Sequence, residues 1–502
     1  MKLNLKNIKT KTLLIYPPNP LKKEYLAKMP RNTTISNFPV FPLGLAILSG
    51  YLKKLGYKSI KIINLGDFDI TGAQKYNLDI FSPPKSIIQK TISDKKLIDN
   101  FDKKLTNEFK KTLIKFKPNI IGFSILYSNQ FYYALKIAEI IKSYDKKIFV
   151  VLGGPYISLY AENIANLKEP EDYLPKLIDG YIFDCGENPL AELIVKIDRK
   201  KPLDKIPNSY FLDANKKFKK NRRVLNPNPK YLVMPDFGEI EKETMPLRLS
   251  TGCYWGKCSF CTHCKIHTYC AAEIDQIIRT IKELIRKHNS NKFLICDDSI
   301  HPLLLKKLSE KIIKEKLSIS WKLLFLNLDS CFLKDKKIVK LMKRAGCLAV
   351  MHFGMESATP RILKLMKKQH NRISALKILR LFKKEGIEAG IGVMLGFPTE
   401  TKKEAKMTLA FLKKYSDLYY TATIKKFSLS QKSDIYNNLN KYHITKKIAG
   451  SMDRPIYSPR KGMTTRELEV FFNNYLAKEL NKFPGRRLIN LDKFRTKYLV
   501  KI

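Results

Sequence analysis

The chain has 502 residues, enough for two or three domains that each bury a hydrophobic core. Its composition, 44% hydrophobic and 11% aromatic, is that of a globular protein, and no apolar run of about 18 residues predicts a membrane span. The net charge of +48 suggests an anionic partner such as RNA or an acidic peptide, but lysines on the solvated faces of the predicted helices are the favoured explanation. The basic start lacks a long apolar stretch and does not resemble a secretory signal, so we expect a cytoplasmic protein.

Five short apolar runs alternate with helical patterns in the first part of the chain. The runs are TLLIYP, SIKIINL, NIIGFSIL, KIFVVLGG and DGYIFDC. Strands that are joined by helical crossovers form parallel sheets covered on both faces. We therefore predict that residues 1–200 form a doubly wound α/β domain with a parallel sheet of about five strands, interrupted by an irregular insertion at 66–98.

A domain boundary is predicted at 201–244, where the hairpin sequence SYFLDANKKFKKNRRV precedes a proline-rich connection. Six more strands follow over 245–430, and an amphipathic helix follows each of the first five. Six βα units are too few for a closed eight-stranded barrel, so we predict a partial (βα)6 barrel. Residues 431–502 are predicted to be a small, basic, helical extension, with one helix that begins at a capping box of Thr464 and Glu467.

Polar residues collect directly after the strands of this second series. They are Cys253, Asp297, Asp298, Asn327, Asp329, Glu356, Ser357, Thr399 and Glu400. Parallel α/β folds build their sites at the carboxyl ends of the strands. These residues are therefore predicted to converge on one mouth of the barrel.

Five of the nine cysteines lie in the stretch STGCYWGKCSFCTHCKIHTYC, which indicates metal binding rather than a disulfide framework. Cys253, Cys258 and Cys261 have the spacing C-x4-C-x2-C. Three thiolates in one loop can hold three irons of a 4Fe-4S cluster and leave the fourth iron open. Alternatively, Cys258 and Cys261 form a C-x2-C-x2-C run with Cys264, and Cys253 or His267 would complete a closed structural zinc site.

The first of these triads resembles that of the radical S-adenosylmethionine (SAM) superfamily, whose usual spacing is C-x3-C-x2-C with an aromatic residue before the last cysteine. Phe260 occupies the aromatic position, and the extra residue between Cys253 and Cys258 resembles the longer loop of some cobalamin-associated members. The segments FLICDDSI, HFGMESATP and GVMLGFPTET resemble the SAM-contacting segments of the superfamily. The SAM-binding residues that the resemblance implies are Phe260, Asp297, Asp298, Glu356, Ser357, Gly396 and Pro398. For one of the two aspartates the alternative is an N-cap of the following helix.

The first domain carries two short elements at the ends of its strands. Ser124-x-Leu126 follows the third strand, and Gly153-Gly154 follows the fourth after 26 intervening residues. They resemble the S-x-L and G-G elements of the cobalamin-binding family, in which a serine hydroxyl bonds the nucleotide tail and glycines let that tail pass the backbone. An ordinary tight turn is the alternative for the glycine pair. The family's D-x-H-x-x-G element is missing, since the first strand is followed by YPPNPLKKEY, and this puts a histidine ligand to cobalt in doubt.

The two resemblances cover about residues 10–430 and imply a cobalamin-dependent radical SAM enzyme. Such an enzyme cleaves SAM reductively at a 4Fe-4S cluster to a 5'-deoxyadenosyl radical, most often to methylate an unactivated carbon. Cyclisation, rearrangement and methylthio transfer stay open as outcomes. The resemblance also implies an electron donor such as flavodoxin or ferredoxin and an organic or peptide substrate, for which the positive charge favours an anionic group. A corrinoid- or RNA-binding regulator with a structural metal site is the alternative from another class, so nucleic acid is not excluded as a partner.

Overall fold

The computed structural model describes residues 3–18, 42–66, 88–89, 107, 109–167, 173–224, 234–238, 244–262, 268–430, 432–446, 457–476 and 487–490. These residues divide into two compact units, one that extends to Gly238 and one that begins at Thr244. Most of the predicted insertion at 66–98 lies outside the described residues. No helix in the described part of the chain is long and apolar enough to cross a membrane.

A seven-stranded sheet with the order β2-β1-β3-β4-β5-β6-β7 forms the centre of the first unit. Its strands are β1 (Thr12–Tyr16), β2 (Ile60–Asn64), β3 (Ile120–Ser124), β4 (Phe149–Gly153), β5 (Gly180–Ile182), β6 (Ser209–Leu212) and β7 (Phe218–Lys220). Its helices are α1 (Leu43–Lys54), α2 (Ser128–Tyr144), α3 (Pro155–Ala165), α4 (Tyr173–Leu177) and α5 (Glu187–Asp198). The first five strands are parallel. Leu13 and Ile15 enter one core cluster and Leu14 and Tyr16 another, so the sheet is buried on both faces and the predicted doubly wound fold is confirmed.

The hairpin predicted in the linker extends this first sheet. Strand β6 pairs antiparallel with β5, and β7 pairs antiparallel with β6. A Cβ atom on Gly180 would lie 2.3 Å from Cδ1 of Phe211, so the glycine makes room for that ring. The hairpin covers the edge of the short strand β5, which would otherwise present unpaired backbone groups.

The second unit is built on another seven-stranded sheet, with the order β18-β15-β14-β13-β12-β11-β8, in which every pair is parallel. Its strands are β8 (Met245–Leu247), β11 (Lys292–Ile295), β12 (Ser320–Leu323), β13 (Cys347–Glu356), β14 (Glu388–Leu395), β15 (Thr421–Lys426) and β18 (Arg487–Asn490). The first six are the strands that the sequence predicts. The small antiparallel pair β9 (Ser250–Thr251) and β10 (Cys270–Ala271) flanks the cysteine loop.

Helices follow the strands of the second sheet as predicted. They are α6 (Ile274–His288), α7 (Pro302–Lys314), α8 (Cys331–Lys334), α9 (Lys337–Arg344), α10 (Pro360–Leu365), α11 (Arg372–Lys384), α12 (Lys402–Lys414), α13 (Asp434–Asn437) and α14 (Thr465–Val470). Helix α6 shows the amphipathic pattern, since Ile277, Ile281 and Leu284 form one buried stripe.

The C-terminal extension contains strands as well as the predicted helix. Its predicted capping box is confirmed, because Thr464 and Glu467 bond each other's backbone N–H groups at the start of α14. The helix continues as a π-helical turn at Phe471–Leu476. The chain then supplies β18, which pairs with the edge of β15, and β16 (Ile444–Lys446) and β17 (Tyr457–Pro459) form a hairpin. An open strand edge exposes backbone donors and acceptors, and β18 satisfies them.

Candidate active site

The cysteine loop begins directly after β9. Cys253 forms an isolated parallel bridge with Ser299, and its Sγ lies 3.7 Å from the side-chain nitrogen of Asn327. Cys253, Cys258 and Cys261 form no disulfide bond, and all three have intermediate exposure. The three predicted ligands therefore lie on one loop, at the carboxyl end of the sheet, and are accessible to a metal.

Two residues between the first two cysteines anchor this loop. The hydroxyl of Tyr254 donates to the Asp329 carboxylate at 2.5 Å and accepts a hydrogen bond from Gln369 at 2.6 Å. Burial and the adjacent Asp329 carboxylate raise the pKa of Tyr254, so the phenol stays neutral. The indole of Trp255 donates to the backbone oxygen of Lys367 at 2.9 Å. The long C-x4-C spacing thus includes side chains that fix the position of the loop.

Asp297 holds the strand that leads into the cysteine loop. Its two oxygens accept hydrogen bonds from the backbone N–H of Leu249 at 2.9 Å and from the N–H and hydroxyl of Ser250 at 2.5 and 2.6 Å. Burial raises the pKa of Asp297 to about 6, although these hydrogen bonds oppose the shift. Asp298 is half-buried beside it. Neither aspartate caps α7, because His301 is the N-cap and its Nδ1 accepts from the Leu303 N–H.

Glu356 ends β13 in an unusual conformation. Its φ is 62°, a left-handed value that is rare and costly for a residue with a side chain. One carboxylate oxygen lies 3.6 Å from the ammonium of Lys368, and the other is buried without a hydrogen-bond partner. Burial would raise the pKa of Glu356, but the positive charges of Lys368 and Lys425 outweigh burial and lower it. A charged, incompletely bonded carboxylate in this position suits a polar ligand.

Ser357 follows Glu356 and is completely buried. Its hydroxyl oxygen accepts a hydrogen bond from the Thr359 N–H at 3.1 Å and lies 3.3 Å from the hydroxyl of Thr408. These contacts give Ser357 a role in packing the turn after β13. Its contact with SAM stays a prediction.

Gly396 and Pro398 shape a buried turn after β14. Gly396 has a φ of 78°, and a Cβ atom there would lie 2.2 Å from Cδ2 of Leu468 in α14. Its N–H donates to one oxygen of Glu400 at 2.5 Å, while the other oxygen of Glu400 is buried without a partner. Burial raises the pKa of Glu400 to about 8, so this carboxyl is protonated at neutral pH. The sequence predicts that Gly396 and Pro398 shape the backbone of this turn, but it does not indicate that Glu400 is protonated.

Phe260 packs, half-buried, against a hydrophobic cluster that contains Met366, Met394 and Phe397. This places the aromatic residue of the cysteine loop beside the end of β14. The hydrophobic cluster therefore joins the cysteine loop to the buried turn after β14.

A second group of side chains lies beside one another across β12 to β15. The rings of Phe325 and His352 meet edge to face with centroids 5.4 Å apart, and Nδ1 of His352 lies 3.4 Å from the hydroxyl of Thr423. A Cβ atom on Gly392 would lie 2.0 Å from the His352 ring, so this glycine makes room for it. Burial lowers the pKa of His352 to about 4, and the ring is therefore neutral. His352 is not among the site residues predicted from the sequence, although it and Glu356 are the two strongly polar residues in the strand LAVMHFGME.

In the first unit, the two predicted elements lie side by side at the carboxyl edge of the sheet. Ser124 and Gly153 are register partners of β3 and β4. Gly154 has a φ of 97°, and a Cβ atom there would lie 2.6 Å from the backbone of Ile125, so glycine is required. Leu126 is 37% exposed, and its N–H donates to the side chain of Gln130 at 2.8 Å. The glycine pair is thus a tight turn, and it also leaves a backbone edge free of side chains.

The residues present fit the implied cofactors. Three cysteines on one loop, none of them in a disulfide bond, are the ligands that iron-sulfur clusters use, and the unpartnered oxygen of Glu356 suits a SAM hydroxyl or amino group. Within the part of the chain that the structure describes, no three His, Cys, Asp or Glu side chains are grouped closely enough to hold one metal ion. Cys264 and His267, which the zinc alternative needs, lie outside that part.

Comparison with known protein families gives two matches. Residues 247–412 match the radical SAM superfamily, and residues 34–193 match the B12 binding domain. The chain is a radical SAM enzyme with a B12-binding domain. The first domain type implies a 4Fe-4S cluster and SAM as cofactors, and the second implies cobalamin. The resemblance identified in the sequence is confirmed, and the matches do not support a regulator with a structural metal.

Individual proteins give the same result for this radical SAM enzyme. A protein of Pyrococcus horikoshii named as an uncharacterized methyltransferase is 28% identical over 347 residues, which cover 66% of the chain and 72% of that protein. The cobalamin-dependent SAM radical enzyme OxsB has a TM-score of 0.65 at 15% identity and covers 98% of the chain and 70% of OxsB. The radical SAM methyltransferase TsrM from Kitasatospora setae has a TM-score of 0.61 at 13% identity, over 90% of the chain and 81% of TsrM. The two structural likenesses show the fold.

Proposed function

We propose that this enzyme methylates an unactivated carbon atom of its substrate. The observation that carries the proposal is the presence, on one chain, of a three-cysteine loop in the barrel and of the paired S-x-L and G-G elements at the edge of the first sheet. When bound, the cluster and SAM supply a 5'-deoxyadenosyl radical that removes a hydrogen atom, and the corrinoid supplies the methyl group. The relative named as a methyltransferase supports this reaction.

In the barrel, Cys253, Cys258 and Cys261 are the proposed cluster ligands. Glu356 would bind a polar group of SAM through its unpartnered oxygen, since a buried acceptor gains most from a hydrogen-bond donor. Phe260, Gly396 and Pro398 would shape the surface around the adenine. Asp297 and Asp298 were also predicted to bind SAM; we assign Asp297 the added task of holding the cysteine loop through Ser250.

In the first unit, Ser124, Gly153 and Gly154 would hold the nucleotide tail of cobalamin, with Leu126 beside it. The chain has no histidine in its first 262 residues, so no imidazole of this unit would bind cobalt. The electron paramagnetic resonance (EPR) spectrum of the reduced Co(II) form tests this directly. We expect no nitrogen hyperfine splitting from a histidine, and such splitting would contradict the assignment.

The substrate stays open, and the net charge of +48 favours one with an anionic group, such as an acidic peptide. A flavodoxin or ferredoxin would supply electrons. The exposed Phe325 ring and the neutral His352 imidazole offer an aromatic surface and a hydrogen-bonding group to such a substrate.

Product analysis with methyl-labelled SAM tests the proposed reaction. C-methylation consumes SAM in two ways, so reduced enzyme loaded with corrinoid should release both 5'-deoxyadenosine and S-adenosylhomocysteine. Cyclisation or rearrangement would give 5'-deoxyadenosine without S-adenosylhomocysteine, and methylthio transfer would place sulfur in the product along with the label. Either result would refute C-methylation while leaving the radical SAM class intact.

A further inference from the structure

The segment from Leu365 to His370, here called the clasp, lies along the cysteine loop. Four hydrogen bonds join the two: Ser259 Oγ to Leu365 O (2.9 Å), Ser259 N to Met366 O (3.1 Å), Trp255 Nε1 to Lys367 O (2.9 Å) and Gln369 Nε2 to the Tyr254 hydroxyl (2.6 Å). Every partner in the loop lies between the first and third cysteines. The clasp is thus fixed to the loop on both sides of Lys368.

Lys368 is the residue of the clasp whose charged side chain is buried. Its side chain is only 3% exposed, and its ammonium lies 3.6 Å from a Glu356 oxygen, at the edge of direct ion-pair contact. A Cβ atom on Gly354 would lie 3.2 Å from that ammonium, so the strand approaches it closely. Burying an ammonium is costly unless negative charge compensates for it. One carboxylate at this distance compensates for it only in part.

The cysteine triad also acts electrostatically on Lys368. Burial lowers the pKa of Lys368, but the charges of Cys258, Glu356, Cys253 and Cys261 outweigh burial and raise it. The hydrogen bonds of the clasp hold Lys368 next to the cysteine loop, so the buried cation lies within electrostatic range of the cysteine triad as well as of Glu356.

We propose that Lys368 is a positioning residue for the iron-sulfur cluster, whose fixed positive charge beside the three cysteines favours the reduced form. The inference rests on the proposed function, because it takes these cysteines as cluster ligands. Reduction of the cluster adds one electron from the external donor and makes the site more negative. A buried cation at fixed distance stabilises that added charge.

The test is a pair of adjacent lysine substitutions. Lys368→Met removes the buried charge, and the control Lys367→Met removes a charge that is 43% exposed and paired with Asp434 at 2.7 Å. Both variants are reconstituted anaerobically, and the midpoint potential of the cluster is measured by EPR titration without SAM. For Lys368→Met we expect reduction to become about tenfold less favourable, a midpoint about 59 mV more negative for a one-electron couple. The midpoint potential of Lys367→Met should equal that of the wild type. Lys368→Arg keeps the positive charge, so its midpoint potential should stay close to the wild-type value.

Measuring the midpoint potential without SAM distinguishes an effect of Lys368 on the cluster from an effect on bound SAM. A lysine that acted only on bound SAM would leave the SAM-free potential unchanged, so equal potentials in Lys368→Met and the wild type would overturn the inference. Should Met at this position prevent folding or cluster loading, Lys368→Gln removes the same charge with a polar side chain and must show the same shift. A wild-type protein that loads no cluster would instead refute the proposed function.

Discussion

Asp297 and Glu356 are both buried carboxylates at the carboxyl ends of strands in one sheet, yet the structure uses them differently. The oxygens of Asp297 accept three hydrogen bonds from Leu249 and Ser250. Glu356 has a distant ion pair with Lys368 and one oxygen without a partner. Burial raises the pKa of Asp297 to about 6, whereas nearby lysines outweigh burial and lower the pKa of Glu356. Asp297 and Glu356 share their position at strand ends and their burial. Their hydrogen-bond partners are what distinguish them: Asp297 stabilises the fold, whereas Glu356 has an oxygen available to a ligand.

Replacing Asp297 should have the largest effect on folding. Asp297→Ala leaves the buried N–H groups of Leu249 and Ser250 without acceptors, and we expect a loss of about 2–5 kcal/mol in the free energy of unfolding. Denaturant unfolding measures it. The control Asp417→Ala removes an exposed ion pair with Lys383 and should cost less than about 1 kcal/mol. Equal losses in the two variants would show that the hydrogen bonds of Asp297 do not stabilise the fold.

Glu356→Gln should act on ligand binding. Loss of the negative charge should weaken SAM binding by about 10–100-fold, because a hydrogen bond to a charged acceptor contributes about 1.5–3 kcal/mol. Isothermal titration of the reconstituted protein with SAM gives the dissociation constant. Glu388→Gln is the matched control. Glu388 begins β14 and therefore lies at the amino end of its strand, whereas Glu356 lies at the carboxyl end of β13. Unchanged SAM affinity in Glu356→Gln would show that the free oxygen does not serve SAM.

Glu400 extends the comparison to a third buried carboxyl. Burial raises its pKa in the folded protein to about 8 from an ordinary value of 4.5, so between these values the folded state holds a proton that the unfolded state releases. The free energy of unfolding should therefore fall as pH rises through this window, with a slope of up to about 1.4 kcal/mol per pH unit, and level off above about pH 8. Glu400→Gln should flatten that part of the profile. Parallel profiles for wild type and variant would exclude the buried protonated carboxyl.

Ser357→Ala should have the smallest effect. It removes the acceptor of the Thr359 N–H and the contact with Thr408, so we expect a loss of about 1 kcal/mol in unfolding free energy and little change in SAM affinity. The same two assays measure both quantities. A loss of SAM affinity as large as that of Glu356→Gln would instead support the SAM contact that the sequence predicts.

Much of the fold was readable because its signals are local. Apolar runs and helical periodicity predict both parallel sheets. The sequence also places Ser124 and Gly153 after the third and fourth strands, and the structure shows that they are register partners. The hairpin partner of β5 and the strand β18 were not assigned to the sheets. Edge pairing depends on which backbone groups stay open after the rest of the sheet forms, and a local pattern does not contain that information.

The site was predictable only where residue type and spacing carry the chemistry. The cysteines and Glu356 stand out at strand ends, whereas Lys368 is one of many lysines in a chain of net charge +48. Its burial arises from the clasp, a tertiary contact between a segment after α10 and the cysteine loop. Likewise, the N–H groups that donate to Asp297 belong to residues 47 and 48 positions earlier in the chain.

SAM cleavage by the anaerobically reconstituted protein with a reductant tests whether the cysteine triad holds a catalytic iron-sulfur cluster. The wild type should bind about four iron and four sulfide per chain and release 5'-deoxyadenosine. Cys258→Ala should lose that release, while Cys331→Ala, which removes a free and partly accessible cysteine of α8, should keep it. Undiminished 5'-deoxyadenosine formation by Cys258→Ala, or a wild type that binds no iron, would contradict the account.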